Sequence, residues 1–306
     1  MRFSVWPNLA QPVEDVLSVA HHAESTGWDG VWVADHFMGD GGGFGPADAP
    51  TLEATAVLAA LSVATHRVRL GPLVLGSTYR HPAVVANWAV TVDHLSARSA
   101  GPGRLVLGLG AGWQVNEHEQ YGIDLPPVRD RVDRFAETCE VVSSLLHEPR
   151  TDFDGRWFQL TDALCEPKPL ARIPLLVGGK GNRMLGIAAR WADEWNMWGL
   201  PDLIAERSSA LDLACERIGR DPTEIERSTQ ALLLPTDDHE RARRFVERVA
   251  PRAAVAGPAS VLEVAVAAWR DVGVTEVIVP DAPLGRGAER LDLLDQLAEV
   301  FSGFRD

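Results

Sequence analysis

The sequence predicts a single α/β domain built as a (β/α)8 TIM barrel. Short apolar runs alternate with amphipathic segments of roughly 12 to 18 residues along the whole chain. About eight such pairs can be counted, and a barrel of this kind typically needs about 250 residues plus insertions. The chain has 306 residues, of which 46% are hydrophobic and 24% charged, as in globular proteins. We therefore expect one domain over residues 1–306.

The predicted strands are apolar runs that end in glycine, tryptophan, leucine or aspartate. In chain order they are Phe3–Trp6, Gly30–Asp35, Arg69–Leu75, Arg104–Gly110, Pro174–Gly179, Glu194–Trp198, Arg227–Leu234 and Glu276–Asp281. Strands that alternate with helices are typical of parallel sheets covered by helices. A doubly wound sheet is the weaker alternative, because the G-x-G-x-x-G fingerprint is missing after Trp6.

The predicted helices lie between these strands, where apolar residues return every three or four positions. They cover residues 13–26, 52–65, 81–96, 129–148, 184–193 and 201–219, and a further outer helix is expected near 240–249. Pro82 favours a helix start at its own position, since proline is well accommodated in a first turn.

Two segments depart from the repeat and are predicted insertions at the carboxyl-terminal face of the barrel. The first, Gly39–Pro50, is rich in glycine, and the second, Pro149–Pro174, is polar and aromatic. Asp154-Gly155 in the second segment is a turn signal between short alternating runs, so we expect a β-hairpin there.

The charge balance argues against several classes of function. With 29 Lys+Arg and 43 Asp+Glu the net charge is -14, which opposes binding to nucleic acid or anionic lipid. The sequence shows no long apolar run and no signal-peptide pattern, so we expect a soluble, cytoplasmic protein without a membrane segment. Three scattered cysteines and no ligand spacing predict neither disulfides nor a metal site.

The carboxyl ends of barrel strands are where catalytic groups are expected. His36 follows Asp35 at the end of the second strand, and its imidazole is suited to proton transfer. A loop histidine that is hydrogen-bonded to a neighbour is the alternative. Tyr79-Arg80-His81 after the third strand are explained by capping and packing. The short acidic run of Glu117, His118 and Glu119 is interpreted as a surface loop.

Two glycine-rich strand ends predict a binding site for a flat, anionic molecule. The fourth strand ends in Gly108-Leu109-Gly110-Ala111-Gly112-Trp113, where alternate glycines allow a ring to approach the backbone. The fifth ends in Gly178-Gly179-Lys180-Gly181-Asn182-Arg183 and opens a helix, which favours a phosphate site. A plain helix-starting turn is the alternative for the second segment.

Taken together, five segments of the chain resemble the luciferase-like monooxygenase superfamily, in particular its coenzyme F420-dependent oxidoreductase branch. They are GWDGVWVADHF, LEATAVLAALSVATHRVRLGPLVLGSTYRHPAVVAN, RLVLGLGAGWQVNEHEQYGI, RWFQLTDALCEPKP and LLVGGKGNRMLGIAARWADEWN. The resemblance covers nearly the whole chain. It implies a barrel whose mouth holds the tricyclic ring of a deazaflavin, with the phosphate at the glycines of the fifth strand.

The resemblance also implies roles for individual residues. It makes His36 the catalytic group for proton transfer and gives cofactor-binding roles to Asp35, His36, Val74, Gly76, Ala111, Gly112, Asn116, Gly178, Gly179, Gly181 and Asn182. It implies a non-proline cis peptide near Leu73-Val74. Trp113 stands where the sugar-phosphate dehydrogenases of the family have a catalytic glutamate, so we expect its side chain to form part of the wall of the substrate pocket instead.

The expected function is hydride transfer between coenzyme F420 and a small organic substrate, with His36 in proton transfer. One alternative is a monooxygenase of the same fold that uses reduced FMN, and another is a protein that binds the cofactor without catalysis. The resemblance also implies a homodimer, formed through the apolar outer segments Leu52–Thr65 and Pro82–Leu95.

Overall fold

The computed structural model describes residues 1–42, 45–97 and 101–305, and it confirms the predicted barrel. Parallel strands occupy eight positions around one axis, in the same order as in the chain. Their bounds are β1 Arg2–Trp6, β2 Gly30–Val33, β3 Arg69–Pro72, β4 Leu75–Gly76, β5 Leu107–Gly110, β8 Leu175–Gly178, β9 Glu194–Trp198, β10 Glu226–Gln230 and β13 Glu276–Pro280.

The third barrel position is shared by β3 and β4, because the strand is interrupted at Leu73-Val74. The peptide bond between these two residues is cis, as the family resemblance implies. β3 pairs with β2 on one side and β4 with β5 on the other. The barrel closes through Leu70, whose N–H donates to the Arg104 carbonyl (3.0 Å) and whose carbonyl accepts from Val106 N–H (2.8 Å).

Helices follow each barrel strand and confirm every helix predicted from periodicity. They are α1 Val13–Ser25, α2 Ala54–Ala64, α3 Pro82–Ser96, α4 Val115–Tyr121, α5 Val128–His147, α6 Asn182–Trp191, α7 Pro201–Glu216, α8 His239–Val249, α9 Ala259–Asp271 and α10 Gly287–Ser302. The α3 helix starts with Pro82 in its first turn, and the His81 side chain caps it by accepting from Ala83 N–H. Within the described ranges no helix is long and apolar enough to cross a membrane.

The prediction of one strand over Arg227–Leu234 is wrong. The segment divides at Ala231 into β10 in the barrel and β11 Leu232–Pro235, which leaves it and pairs with β12 Ala254–Gly257. The apolar side chains of Leu232, Leu233 and Leu234 are all buried, so hydrophobicity continues through the break and conceals it. The barrel strand therefore ends at Gln230.

The predicted hairpin in the second insertion is confirmed. β6 Thr151–Asp154 pairs antiparallel with β7 Gln159–Ala163. The hairpin packs along α5, where Glu137 accepts hydrogen bonds from the backbone N–H groups of Arg156 and Trp157. Its tip reaches the start of α3, because the Phe158 ring lies 5.1 Å from that of His81. Of the first insertion, Gly39–Pro50, residues 43 and 44 lie outside the described residues.

The barrel interior is filled by two layers, which leaves the carboxyl end open for a site. The layer nearer the mouth is apolar and consists of Trp6, Trp32, Leu73, Val106, Leu176 and Ile278. The amino-terminal layer is ionic: Arg69 pairs with Glu194 and Glu276, and Ser4 and the Trp32 indole N–H donate to Glu276. Pairing with Arg69 offsets part of the cost of burying these two carboxylates, which lie away from the mouth.

Candidate active site

Three adjoining cavities occupy the carboxyl end of the barrel. The central cavity, of about 120 Å³, lies between Trp6, His36, Val74, Trp113 and Trp198. The glycine-side cavity, of about 460 Å³, shares Val74, Trp113 and Trp198 with it. The arginine-side cavity, of about 670 Å³, shares Trp6, His36 and Trp198 with it. A single elongated site therefore crosses the mouth, with the central cavity at its middle.

His36 lies on the border between the central and arginine-side cavities. Its Nδ1 atom is 2.9 Å from Oε1 of Glu117, a fully buried residue of α4. An ionised carboxylate can only accept hydrogen bonds, so Nδ1 of His36 must carry a proton in this pair. The pair thus orients the imidazole and fixes which nitrogen donates to Glu117.

Glu117 is the hub of a buried hydrogen-bond network. Its carboxylate also accepts from the Tyr79 hydroxyl and from the backbone N–H of Phe37, the latter at 2.9 Å. Burial opposes ionisation of this carboxyl group, but the three hydrogen bonds outweigh it and lower the pKa of Glu117. Burial and the hydrogen bond to Glu117 both raise the pKa of Tyr79. The network holds a negative charge beside His36.

These contacts correct two interpretations made from the sequence. Glu117 and His118 are buried rather than parts of a surface loop, and His118 Nε2 lies 2.8 Å from the Thr78 hydroxyl. Tyr79 does more than pack, since its hydroxyl belongs to the network around Glu117. His81 alone has the capping role expected for this segment.

Trp113 stands at the rim of the site. Its side chain is 51% exposed, and it lines both the central and the glycine-side cavities. The indole contacts the His36 imidazole edge-on, with ring centroids 5.4 Å apart. A half-exposed tryptophan in this position offers an apolar wall to a ring or substrate bound beside His36.

Asp35 stabilises the strand ends around the central cavity. Arg80 donates to both carboxylate oxygens of Asp35, at 2.7 and 2.9 Å, and Gly76 N–H donates to one of them at 2.9 Å. Burial lowers the pKa of Arg80, but the hydrogen bonds and the charge of Asp35 outweigh burial, so the pKa is raised. Asp35 reaches the cavity lining, but its oxygens are engaged with Arg80 and Gly76.

Val74 forms the floor against which three glycines pack. A Cβ atom at Gly110 would lie 2.6 Å from Cγ2 of Val74, and a Cβ atom at Gly108 or Gly178 would lie 3.1 Å from Val74 methyl carbons. The alternate glycines of the fourth strand are therefore explained in part by the Val74 side chain, which projects into the barrel between the strand ends.

The glycine-side cavity has the features of an anion site. Gly178, Gly179 and Lys180 line it, and the φ angle of Gly179 is +141°, a conformation that favours glycine. Arg131 of α5 lines it too, and one terminal nitrogen of its guanidinium is buried without a hydrogen-bond partner. A bound anion would supply the missing acceptor.

The remaining predicted residues divide between the lining and its surroundings. Ala111 and Gly112 line the glycine-side cavity, and Gly76 lines the central one. Asn116 lies beside the site, where its amide donates to the Gly39 carbonyl at 2.9 Å. Gly181 and Asn182 are exposed at the start of α6, and the Asn182 side chain accepts from Arg207.

Gln230 is a site residue that the sequence did not reveal. It lies at the end of β10, lines the central and glycine-side cavities, and is 5% exposed. Its side-chain oxygen is buried without a hydrogen-bond partner. A ligand N–H group in the central cavity would satisfy it.

A histidine held by a buried carboxylate, an aromatic wall and a candidate anion site at the mouth of a parallel barrel are features of TIM-barrel enzymes. The family model for luciferase-like monooxygenases matches residues 1–299. The chain belongs to the luciferase-like monooxygenase family, and the predictions of its family and of its being an enzyme are confirmed.

Relatives and solved structures agree with this assignment. The chain is 30% identical over 249 residues to an F420-dependent glucose-6-phosphate dehydrogenase of Microbacterium testaceum, covering 79% of this chain and 70% of that protein. An F420-dependent secondary alcohol dehydrogenase with an F420-acetone adduct shares its fold (TM-score 0.83, 21% identity, 100% and 99% coverage). So does the monooxygenase RslO1 from Streptomyces bottropensis (TM-score 0.78, 21% identity, 99% of both chains).

Proposed function

We propose that the protein is an oxidoreductase that transfers a hydride between coenzyme F420 and a small organic substrate, with His36 in proton transfer. The observation that carries the proposal is the position of His36. Glu117 holds the imidazole at 2.9 Å on the border between the central and arginine-side cavities. The central cavity continues into the glycine-side cavity, where a cofactor could bind, and the arginine-side cavity is large enough for a substrate. A proton can thus be exchanged where the two ligands meet.

The residues of the mouth fit F420. The unpartnered nitrogen of Arg131 and the turn at Gly178-Gly179 match an anionic phosphate group, and the unpartnered oxygen of Gln230 matches a ring N–H. Val74 and Ala111 would support the ring, with Trp113 at its edge. When bound, F420 supplies a carbon that carries the hydride.

The protein's own part in the reaction is to position groups and move a proton. Glu117 holds the imidazole of His36 by accepting a hydrogen bond from its Nδ1 atom, which keeps the ring in one orientation at the cavity border. Trp6, Trp113 and Trp198 line the central cavity and would exclude water from it once both ligands are bound. Trp113 replaces the glutamate expected in sugar-phosphate dehydrogenases, so this chemistry relies on His36.

A monooxygenase that uses reduced FMN is the second candidate. It is supported by the similarity to RslO1 and by a pyrimidine monooxygenase of Allorhizobium ampelinum that is 33% identical over 144 residues, 46% of this chain. FMN also has a phosphate group that Arg131 and Gly179 could bind. The two candidates differ in the use of oxygen, because only the monooxygenase would consume it.

Titration of the protein with F420 and, separately, with FMN tests the proposal. We expect micromolar or tighter binding of F420, weaker binding of FMN, and roughly 10-fold or greater weakening by Arg131→Gln. Gly179→Asp should abolish binding, whereas Gly186→Asp on the exposed face of α6 serves as the matched control. Tight binding of FMN alone, with oxygen uptake in the reduced state, would contradict the proposal.

Catalysis itself is tested by single-turnover oxidation of reduced F420 with aldehyde and ketone acceptors. We expect His36→Ala to slow this reaction while F420 still binds. A His36→Ala variant that changes affinity alone would favour a protein that binds the cofactor without catalysis.

We also propose a homodimer formed through the faces of α2 and α3. These helices expose Val63, Val84 and Leu95, at 51%, 60% and 41% of their surface. Apolar side chains on neighbouring outer helices are suited to a subunit interface. Light scattering after size-exclusion chromatography should give twice the 33.2 kDa of one chain, and Val84→Asp should return it to the monomer mass.

A further inference from the structure

The arginine-side cavity carries positive charge in a strongly acidic protein. Arg248, Arg252 and Arg286 line it together with His36. No aspartate or glutamate lines it among the residues that the structure describes. The whole chain has a net charge of -14, so the positive charge of this cavity lining is opposite in sign to the net charge of the protein. A cavity lined in this way attracts anions.

Arg252 is the arginine best placed to hold an anion inside the cavity. Its side chain is partly buried and its Nε donates to the Val249 carbonyl at the end of α8, at 3.4 Å. Burial lowers the pKa of Arg252, and the nearby charge of Asp40 only partly offsets this. A guanidinium that has lost hydration gains more from a carboxylate or phosphate ligand than an exposed one does.

The rest of the cavity lining is mostly apolar, which favours a ligand whose uncharged part is apolar. Leu9, Met38, Leu232 and Val249 contribute aliphatic surface, and Trp6 and Trp198 add aromatic surface. The polar side chains are few, and that of Asn8 already accepts from Ala10 N–H at 2.9 Å. A polyhydroxylated ligand such as a sugar would leave hydroxyl groups without partners here, which is costly.

We propose that the substrate is an organic anion with an apolar body, whose acidic group binds Arg252 and whose reacting carbon lies beside His36. The inference rests on the proposed function for the position of the reacting carbon, while the anion site follows from the cavity itself. The volume of about 670 Å³ is ample for such a molecule. Arg248 and Arg286 are exposed at the rim and would guide the anion inward.

Calorimetric titration of the F420-loaded protein tests the inference. The probes are ω-phenylalkanoates from phenylacetate to 5-phenylpentanoate, their neutral primary amides, phenyl phosphate and glucose 6-phosphate. We expect at least one aryl anion, whether carboxylate or phosphate, to bind more tightly than its neutral counterpart and than glucose 6-phosphate. Arg252→Gln should weaken that binding by roughly 10- to 100-fold.

Arg243→Gln is the matched control, because Arg243 lies on the same helix and pairs with Glu240 and Glu247 on the exposed side. Equal binding of acids and amides, or equal effects of the two variants, would overturn the inference. Tighter binding of glucose 6-phosphate than of the aryl anions would contradict the proposal that the substrate has an apolar body. F420 affinity, measured on the same samples, distinguishes the two proposals. Arg252→Gln should leave this affinity unchanged. A protein that does not bind F420 would contradict the proposed function but not the anion site.

Discussion

The imidazole of His36 and the carboxylate of Glu117, 81 positions apart in the chain, lie 2.9 Å apart at the mouth of the barrel. Glu117 is fully buried, so its only contacts are with protein groups. Its position on α4 places a negative charge behind a histidine that faces two cavities. The orientation of the proposed proton-transfer group therefore depends on a residue outside the cavities.

Glu117→Gln should slow single-turnover hydride transfer by about 10- to 100-fold, a part of what a general acid or base contributes. The amide keeps the size of the side chain but removes the negative charge and one acceptor. F420 affinity should stay unchanged, because Glu117 does not line the cavities. Glu119→Gln, on the exposed side of the same helix, is the control, and an equal effect of both variants would contradict the positioning role.

Glu117 also predicts a pH dependence of stability. Its pKa is lowered in the folded protein, so its stabilising contribution is present above its unfolded pKa of about 4.5 and is lost as the pH falls through the folded pKa. Glu117→Gln should therefore cost more stability at pH 7 than at pH 4. Denaturant unfolding of both proteins at the two pH values measures the difference, and an equal loss at both would exclude this linkage.

Trp113→Ala should weaken F420 binding about 10-fold, since it removes an aromatic wall from two cavities. Trp113→Phe should keep most of the affinity and lose much of the fluorescence quenching on binding. Trp191→Phe is the control, because Trp191 lies on α6 against Arg190. If quenching is unchanged in Trp113→Phe, the ring does not approach this side chain.

Gly110→Ala should destabilise the protein by about 1 to 3 kcal/mol, because its Cβ would lie 2.6 Å from Cγ2 of Val74. Val74→Ala removes the clashing methyl groups, so the double variant should be more stable than the sum of the single effects predicts. Denaturant unfolding of all four proteins gives the coupling energy, expected at about 0.5 to 3 kcal/mol. Additive effects would show that the two side chains do not compete for space.

The barrel and His36 could be predicted because both depend on local patterns. Strand ends follow from apolar runs, and a histidine directly after such a run falls at the mouth. Gln230 was missed because the buried leucines of β11 continue the apolar run and moved the predicted strand end to Leu234. Dividing the segment at Ala231 would have placed Gln230 at a strand end.

Glu117 and Arg131 were missed for a different reason, since their partners come from distant parts of the chain. Glu117-His118-Glu119 has the composition of a surface loop, and only the folded barrel brings His36, Phe37 and Tyr79 to Glu117. Arg131 had a weak local signal, because it stands beside Val128 and Val132, which line the same cavity. A charged residue on an apolar helix face can indicate a buried site.

The ionic layer at the amino-terminal end of the barrel predicts a second pH effect, of opposite sign. Burial, opposed by Arg69 and assisted by Glu276, raises the pKa of Glu194 from 4.5 to about 7. The folded protein then holds a proton that the unfolded chain has lost, so stability falls between about pH 4.5 and 7, by at most about 1.4 kcal/mol per pH unit for one group. Glu194→Gln mimics the protonated form and should gain stability relative to the natural protein from pH 5 to pH 8. Urea unfolding across this range measures it, and a constant difference between the two proteins would show that Glu194 is ionised throughout.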